Sequence, residues 1–229
     1  MQMIHTVFFD IGGTLVTGTS GLHMLARRLD ASRESELFQS LKDDFMHIYL
    51  DEHPVRFYTI KEILALTAQK TAARYGLPDV SDEVVNLYRT AYLKQGYMYD
   101  DTVTTLKRLK ADGIKIVLIS DADDDVLVTQ LKDFGIWNYF DHTIISSITQ
   151  AYKPADKVVA KALEYCEEPL SGVLFVGDTI VDIRTAQKMK VKSVLINRDN
   201  NFKLEADYRI TGLNQLFDII TESNEKQKE

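Results

Sequence analysis

The segment Leu174-Phe175-Val176-Gly177-Asp178-Thr179-Ile180-Val181-Asp182 decides the reading of this chain. An apolar run ends in a glycine and an aspartate, and a second aspartate follows four positions later. The pattern predicts a buried strand, a tight turn and the start of a helix. Both carboxylates can then face one cation. Oxygen ligands of this kind suit Mg²⁺, which takes one or two carboxylates and keeps waters or substrate oxygens. The ordinary explanation of the same residues is a pair of helix-capping acids.

Three other stretches repeat the strand-end theme. Val7-Phe8-Phe9-Asp10-Ile11-Gly12-Gly13-Thr14 is a short β-prone run ending in an aspartate and two glycines, which let backbone amides approach a ligand. Ile116-Val117-Leu118-Ile119-Ser120 places a hydroxyl directly after a strand, where it can donate to a phosphate oxygen. Lys153 precedes Pro154, which fixes the chain just before a helix and can aim the lysine back at the sheet. Taken singly, each has a plain structural explanation: a turn cap, a helix N-cap and a surface lysine. Their order along one chain, at least three of them at strand ends, argues for a single site.

The surrounding pattern agrees. From Asp101 onward, β-rich runs (114–119, 143–145, 173–176, 193–196) alternate with helix-like segments, as in a parallel, doubly wound α/β sheet. In such sheets ligands lie beyond the carboxyl ends of the strands. Residues 18–96 contain no comparable β run. Leu37, Leu41, Phe45 and Ile48 recur at helical spacing, and Gly76-Leu77-Pro78 separates two helices. The expected organisation is therefore an α/β core of residues 1–17 and 97–221, a helical insertion of residues 18–96, and a disordered polar tail over 222–229.

Bulk composition narrows the function. The chain has 229 residues with a net charge of −7, which offers no electrostatic footprint for nucleic acid or an anionic membrane. An anionic substrate needs a local positive group or a metal. Cys166 is the one cysteine, so neither an intramolecular disulfide nor a thiolate metal site can form. No apolar run approaches the ~20 residues of a membrane span, and the cytoplasm is the expected location.

With these four motifs in order, the chain resembles the haloacid dehalogenase-like (HAD) superfamily over roughly residues 4–17 and 97–210, and the helical insertion falls where that family carries its C1-type cap. The resemblance implies a Mg²⁺-dependent phosphohydrolase acting on a small phosphorylated metabolite. Asp10 would be the nucleophile, and Ser120 and Lys153 would act on the transferring phosphoryl group. Gly13 and Asp121 would border the phosphate. Asp10, the Gly12 carbonyl, Asp178 and Asp182 would form the metal site. Two residues depart from the family pattern. Gly12 stands where most phosphatases of the family have a second aspartate serving as general acid and base, and Asp121 stands where asparagine is usual. The acidic residues Asp123, Asp124 and Asp125 suit the first turn of a helix. Alternatives within the family are dehalogenation, for which a metal pair is superfluous, and phosphonate cleavage, which needs a cap lysine. A degenerate, ligand-binding member is the alternative outside catalysis.

Overall fold

In the computed structural model, residues 3–18, 21–52, 56–200 and 204–225 are described. The chain divides into two compact units, one of residues 1–17, 97–121 and 131–229 and the other of residues 18–96 and 122–130.

The first unit is built on a six-stranded sheet. Its strands are β1 (Thr6–Phe9), β2 (Lys115–Ser120), β3 (His142–Ile145), β4 (Val173–Gly177), β5 (Lys192–Ile196) and β6 (Tyr208–Ile210). All pairings are parallel, in the order β3-β2-β1-β4-β5-β6. Strands covered on both faces need apolar residues at every position, and β1, β2 and β4 are buried along almost their whole length. On one face Phe8 stacks on Phe175, their ring centroids 6.1 Å apart. Val117, Ile119 and Ile144 share that core with Val158, Val159 and Ala162 of one helix and Ala186 and Met189 of another.

The strand order reverses between β1 and β4, the position where doubly wound sheets open a crevice at their carboxyl edge. Phe9 pairs with Val176 there, so Asp10 and Gly177 leave the sheet side by side. The two points at which the chain leaves and re-enters this unit are stitched together. Thr17 N–H donates to the Tyr97 carbonyl (2.8 Å), Tyr97 N–H donates to Thr17 Oγ1 (3.0 Å), and Val16 forms an antiparallel bridge with Met98.

The helices number ten: α1 (Gly21–Asp30), α2 (Glu34–His47), α3 (Ile60–Tyr75), α4 (Val84–Thr90), α5 (Thr102–Ala111), α6 (Asp124–Asp133), α7 (Ser146–Thr149), α8 (Asp156–Leu163), α9 (Ile180–Met189) and α10 (Leu216–Glu225) among the described residues. No described helix is long and apolar enough to cross a membrane. Two features differ from expectation. Strand β6 has no counterpart in the sequence reading, because it is three residues long and carries the exposed Arg209 at its centre. Helix α10 runs through Glu225, four residues into the segment expected to be disordered. Leu216, Phe217, Ile219 and Ile220 are buried and anchor the helix, which then continues past its apolar stripe. Residues 226–229 lie outside the described residues.

The second unit contains α1 to α4. Leu25, Leu29, Leu37, Leu41, Leu64, Ala68, Val84 and Tyr88 form its core, with Val126 joining them. Helix α3 has defined ends. Thr59 and Glu62 form a reciprocal capping box, and Gly76 closes the helix in a left-handed conformation at φ 65°. Its N-terminus has an additional acceptor. Asp123 takes the Ile60 N–H at 3.0 Å and the Lys61 N–H at 2.9 Å through its two carboxylate oxygens. Asp124 and Asp125 occupy the first turn of α6, whereas the side chain of Asp123 serves a different helix. Asp123→Ala leaves two amides without their acceptor, and the expected loss is about 1–3 kcal/mol. Chemical denaturation checks this; an unchanged midpoint would show that water replaces the carboxylate at no cost.

Candidate active site

The site grows from the reversal point of the sheet. Asp10 directly follows β1, and its N–H donates to the Val176 carbonyl at 2.9 Å, so its backbone is part of the sheet edge. The chain then turns back on itself. The Ile11 carbonyl accepts the N–H groups of Thr14, Leu15 and Val16 at 3.0–3.2 Å. Gly13 adopts φ +83°, and a Cβ there would lie 2.1 Å from Asp178 Oδ2. Glycine is therefore required at 13 both for its backbone angle and for close approach. Gly12 is different: a Cβ there would meet nothing within 4 Å, and its φ lies outside the left-handed region.

Asp178 and Asp182 come from the turn after β4 and the first turn of α9. Thr179 caps that helix. Its hydroxyl and N–H both donate to Asp182 Oδ2, at 2.7 and 3.0 Å, which fixes the carboxylate and leaves Oδ1 directed elsewhere. Gly177 permits this packing, since a Cβ would fall 2.4 Å from the Asp182 side chain.

Lys153 joins the parts. Its ammonium donates to Asp10 Oδ1 and to Asp182 Oδ1, each at 2.6 Å, with only 4% of the side chain exposed. Its own N–H donates to Asp121 Oδ1 at 3.0 Å. Asp121, expected to border a phosphate, uses that oxygen here to hold the backbone of the lysine loop. Ser120 is the buried last residue of β2, next to β1 in the sheet.

Asp10, Asp178 and Asp182 each offer an oxygen within 4.8 Å of the others. One ammonium cannot balance three carboxylates in this space. Burial, first of all, pushes the Asp10 carboxyl up to about 8; Lys153 opposes the shift, while Asp182 and Asp178 add to it. Burial likewise lifts Asp178 to about 7, with Asp182 adding and Lys153 and Arg198 opposing. Burial works to lower the Lys153 pKa, but Asp10, Asp182 and Asp121 together hold it well above its ordinary value, so it stays charged. Asp178 Oδ1 is buried and has no hydrogen-bond partner among the described residues. An orphaned carboxylate oxygen beside two others, in a site short of positive charge, fits a hard divalent cation such as Mg²⁺.

Arg198 escaped the sequence reading. It follows β5, at the same edge of the sheet, and its guanidinium donates to the Thr14 carbonyl at 2.6 Å. The only signal was a lone arginine after an apolar run.

The two glycines give a direct check of this geometry. Gly13→Ala must adopt a disfavoured angle, worth about 1–2 kcal/mol, and must also displace Asp178. The expected result is a lower melting temperature and loss of turnover. Gly12→Ala should melt as wild type does. Equal melting temperatures for all three proteins would contradict the loop conformation.

Comparison with known proteins agrees with this arrangement. Residues 4–190 match the haloacid dehalogenase-like hydrolase family. The chain is 28% identical to glyceraldehyde 3-phosphate phosphatase of Pyrococcus furiosus, over 100% of its own length and 98% of that protein. It is 25% identical to (S)-2-haloacid dehalogenase 4A of Burkholderia cepacia, over 88% of its length and 86% of that protein. Its fold is that of L-2-haloacid dehalogenase from Xanthobacter autotrophicus, with a TM-score of 0.75 at 19% identity, covering 96% of this chain and 99% of that one. A family match across most of the core, on a parallel sheet with this strand order and this carboxylate–lysine cluster, places the chain in the haloacid dehalogenase-like hydrolase family.

Proposed function

We propose that the chain is a Mg²⁺-dependent phosphohydrolase acting on a small phosphorylated metabolite, with Asp10 as the nucleophile. The observation that carries this reading is the buried cluster of Asp10, Asp178 and Asp182 around a single Lys153, with one Asp178 oxygen left unpartnered. Attack of a carboxylate on carbon needs no divalent cation, and so no unpartnered Asp178 oxygen to hold one. A phosphoryl transfer that recruits a divalent cation does. The phosphatase relative supports the same choice.

In the proposed reaction an Asp10 oxygen attacks phosphorus as the bond to the leaving oxygen breaks, giving an aspartyl phosphate. Water then attacks that phosphorus and returns Asp10 as a carboxylate. Lys153 holds Asp10 in place and offsets negative charge as the phosphoryl group approaches. Ser120 lies at the end of the neighbouring strand and would donate to a phosphoryl oxygen. Asp182 orients Lys153, and the Gly12–Gly13 turn would border the phosphate. Held by Asp10, Asp178 and the Gly12 carbonyl, Mg²⁺ would polarise the phosphoryl oxygens and offset the repulsion between two anions.

Position 12 sets the expected kinetics. It carries no side chain that could donate a proton to the leaving oxygen or take one from water, a service worth about 10²–10⁴-fold. The first step can avoid the deficit with a leaving group of low pKa, whereas the second always uses water. An aryl phosphate should therefore give a burst of product followed by a slow steady rate that chelation abolishes. Gly12→Asp, whose Cβ would meet nothing within 4 Å, should raise the steady rate more than the burst. Asp10→Asn should fall below a few per cent of wild-type turnover. Rapid-mix kinetics reads all of these. A steady rate that tracks leaving-group pKa without a burst would place the deficit in the first step, and full activity in chelator would remove the metal from the reading.

A further inference from the structure

Arg198 sits in a network that none of the assigned motifs includes. Its Nη2 donates to the Thr14 carbonyl (2.6 Å) and to Asp101 Oδ1 (3.0 Å), and its Nη1 donates to Asp101 Oδ2 (3.2 Å). The guanidinium carbon also lies over the Tyr99 ring, 3.6 Å from its centroid. Asp101 is fixed in turn, because Oδ2 also accepts the Leu213 N–H at 2.8 Å. The side chain of Arg198 is 16% exposed, and its Nε is buried without a hydrogen-bond partner among the described residues. A planar fork held by a carboxylate, a carbonyl and an aromatic face has very little freedom.

The carbonyl it grips belongs to the loop that follows Asp10. That loop is limited on one side by Gly13, whose backbone packs against the Asp178 carboxylate. On the other side, the Leu15 carbonyl accepts the Thr102 hydroxyl (2.7 Å) and the Tyr99 N–H (3.2 Å). Arg198 therefore ties the end of β5, the loop after β1 and the segment entering α5 into one frame. Gly13 lies against the Asp178 carboxylate, so the placement of that carboxylate depends on where the loop rests.

We infer that Arg198 is a positioning residue for the metal site: by holding the Thr14 carbonyl it sets the Asp10–Thr14 loop against Asp178 and so governs how tightly a divalent cation binds. This rests on the proposal that Asp10 and Asp178 share such a cation. The residue touches neither carboxylate and acts only through the loop. Its charge alone predicts the opposite outcome. A guanidinium near Asp178 repels a second cation, so removing it should by Coulomb's law tighten metal binding. Positioning requires that removing it weakens binding.

Titration calorimetry of the full chain with MgCl₂, without substrate, separates these cases. Arg198→Met keeps the apolar cover on Tyr99 and loses the fork; the expected rise in the Mg²⁺ dissociation constant is about tenfold, the low end for residues that orient metal ligands. Arg198→Lys should lose nearly as much, because one ammonium cannot span Asp101 and the Thr14 carbonyl in the same plane. If either variant fails to fold, Asp101→Asn gives a weaker shift in the same direction. Melting temperatures are recorded in parallel. A lower melting temperature with an unchanged or smaller dissociation constant would make Arg198 a structural brace and overturn the inference. Wild-type protein that binds no Mg²⁺ would overturn the metal reading itself, and this inference with it.

Discussion

A buried ammonium held between two carboxylates is the constraint around which the site is arranged. Lys153 lies 2.6 Å from both Asp10 and Asp182, with almost no access to water. Breaking such a group by removing one partner leaves an uncompensated charge and typically costs about 3–5 kcal/mol. Each member is consequently fixed by its own local device. The sheet edge holds Asp10, the Thr179 cap holds Asp182, and Asp121 holds the amide of Lys153. Well-packed apolar side chains would stabilise the fold as well or better. The polar arrangement makes physical sense as a site that must receive more charge.

The parallel sheet delivers these residues without long-range coordination. Each comes from the carboxyl end of a strand or from the segment beyond it, and the strand order brings β1 and β4 together although 163 residues separate Phe9 from Val173. Two glycines then permit approaches that any other residue would block, Gly13 against Asp178 and Gly177 against Asp182. The absence of a side chain at Gly12 serves no such packing purpose. Under the proposed mechanism it bears on the rate of individual steps and not on stability.

Much of this was legible in the sequence because the relevant signals are local. Apolar runs ending in Asp10, Ser120 and Gly177-Asp178 identify strand ends, and alternation with helical segments identifies a doubly wound sheet. What was not legible depends on partners distant in sequence. The spacing of Asp182 lets it face a cation, but spacing alone does not show that one of its oxygens caps its own helix while the other receives Lys153. Asp123 suits the first turn of its own helix by sequence, yet its acceptors serve amides more than 60 residues away. Arg198 carries no local signature at all. Strand β6 is too short and too polar for a periodicity argument, and the docking of α10 became visible only once its apolar stripe had a surface to cover.

The proposed mechanism requires that Asp10 becomes phosphorylated during turnover. Rapid quenching with an aryl phosphate and Mg²⁺, followed by borohydride reduction and peptide mass spectrometry, tests it directly, because borohydride converts an aspartyl phosphate to homoserine. Homoserine at position 10, dependent on Mg²⁺ and absent from Asp10→Asn, is the expected result. Turnover under the same conditions with no modification at position 10, or with the phosphoryl group on another residue, would contradict it.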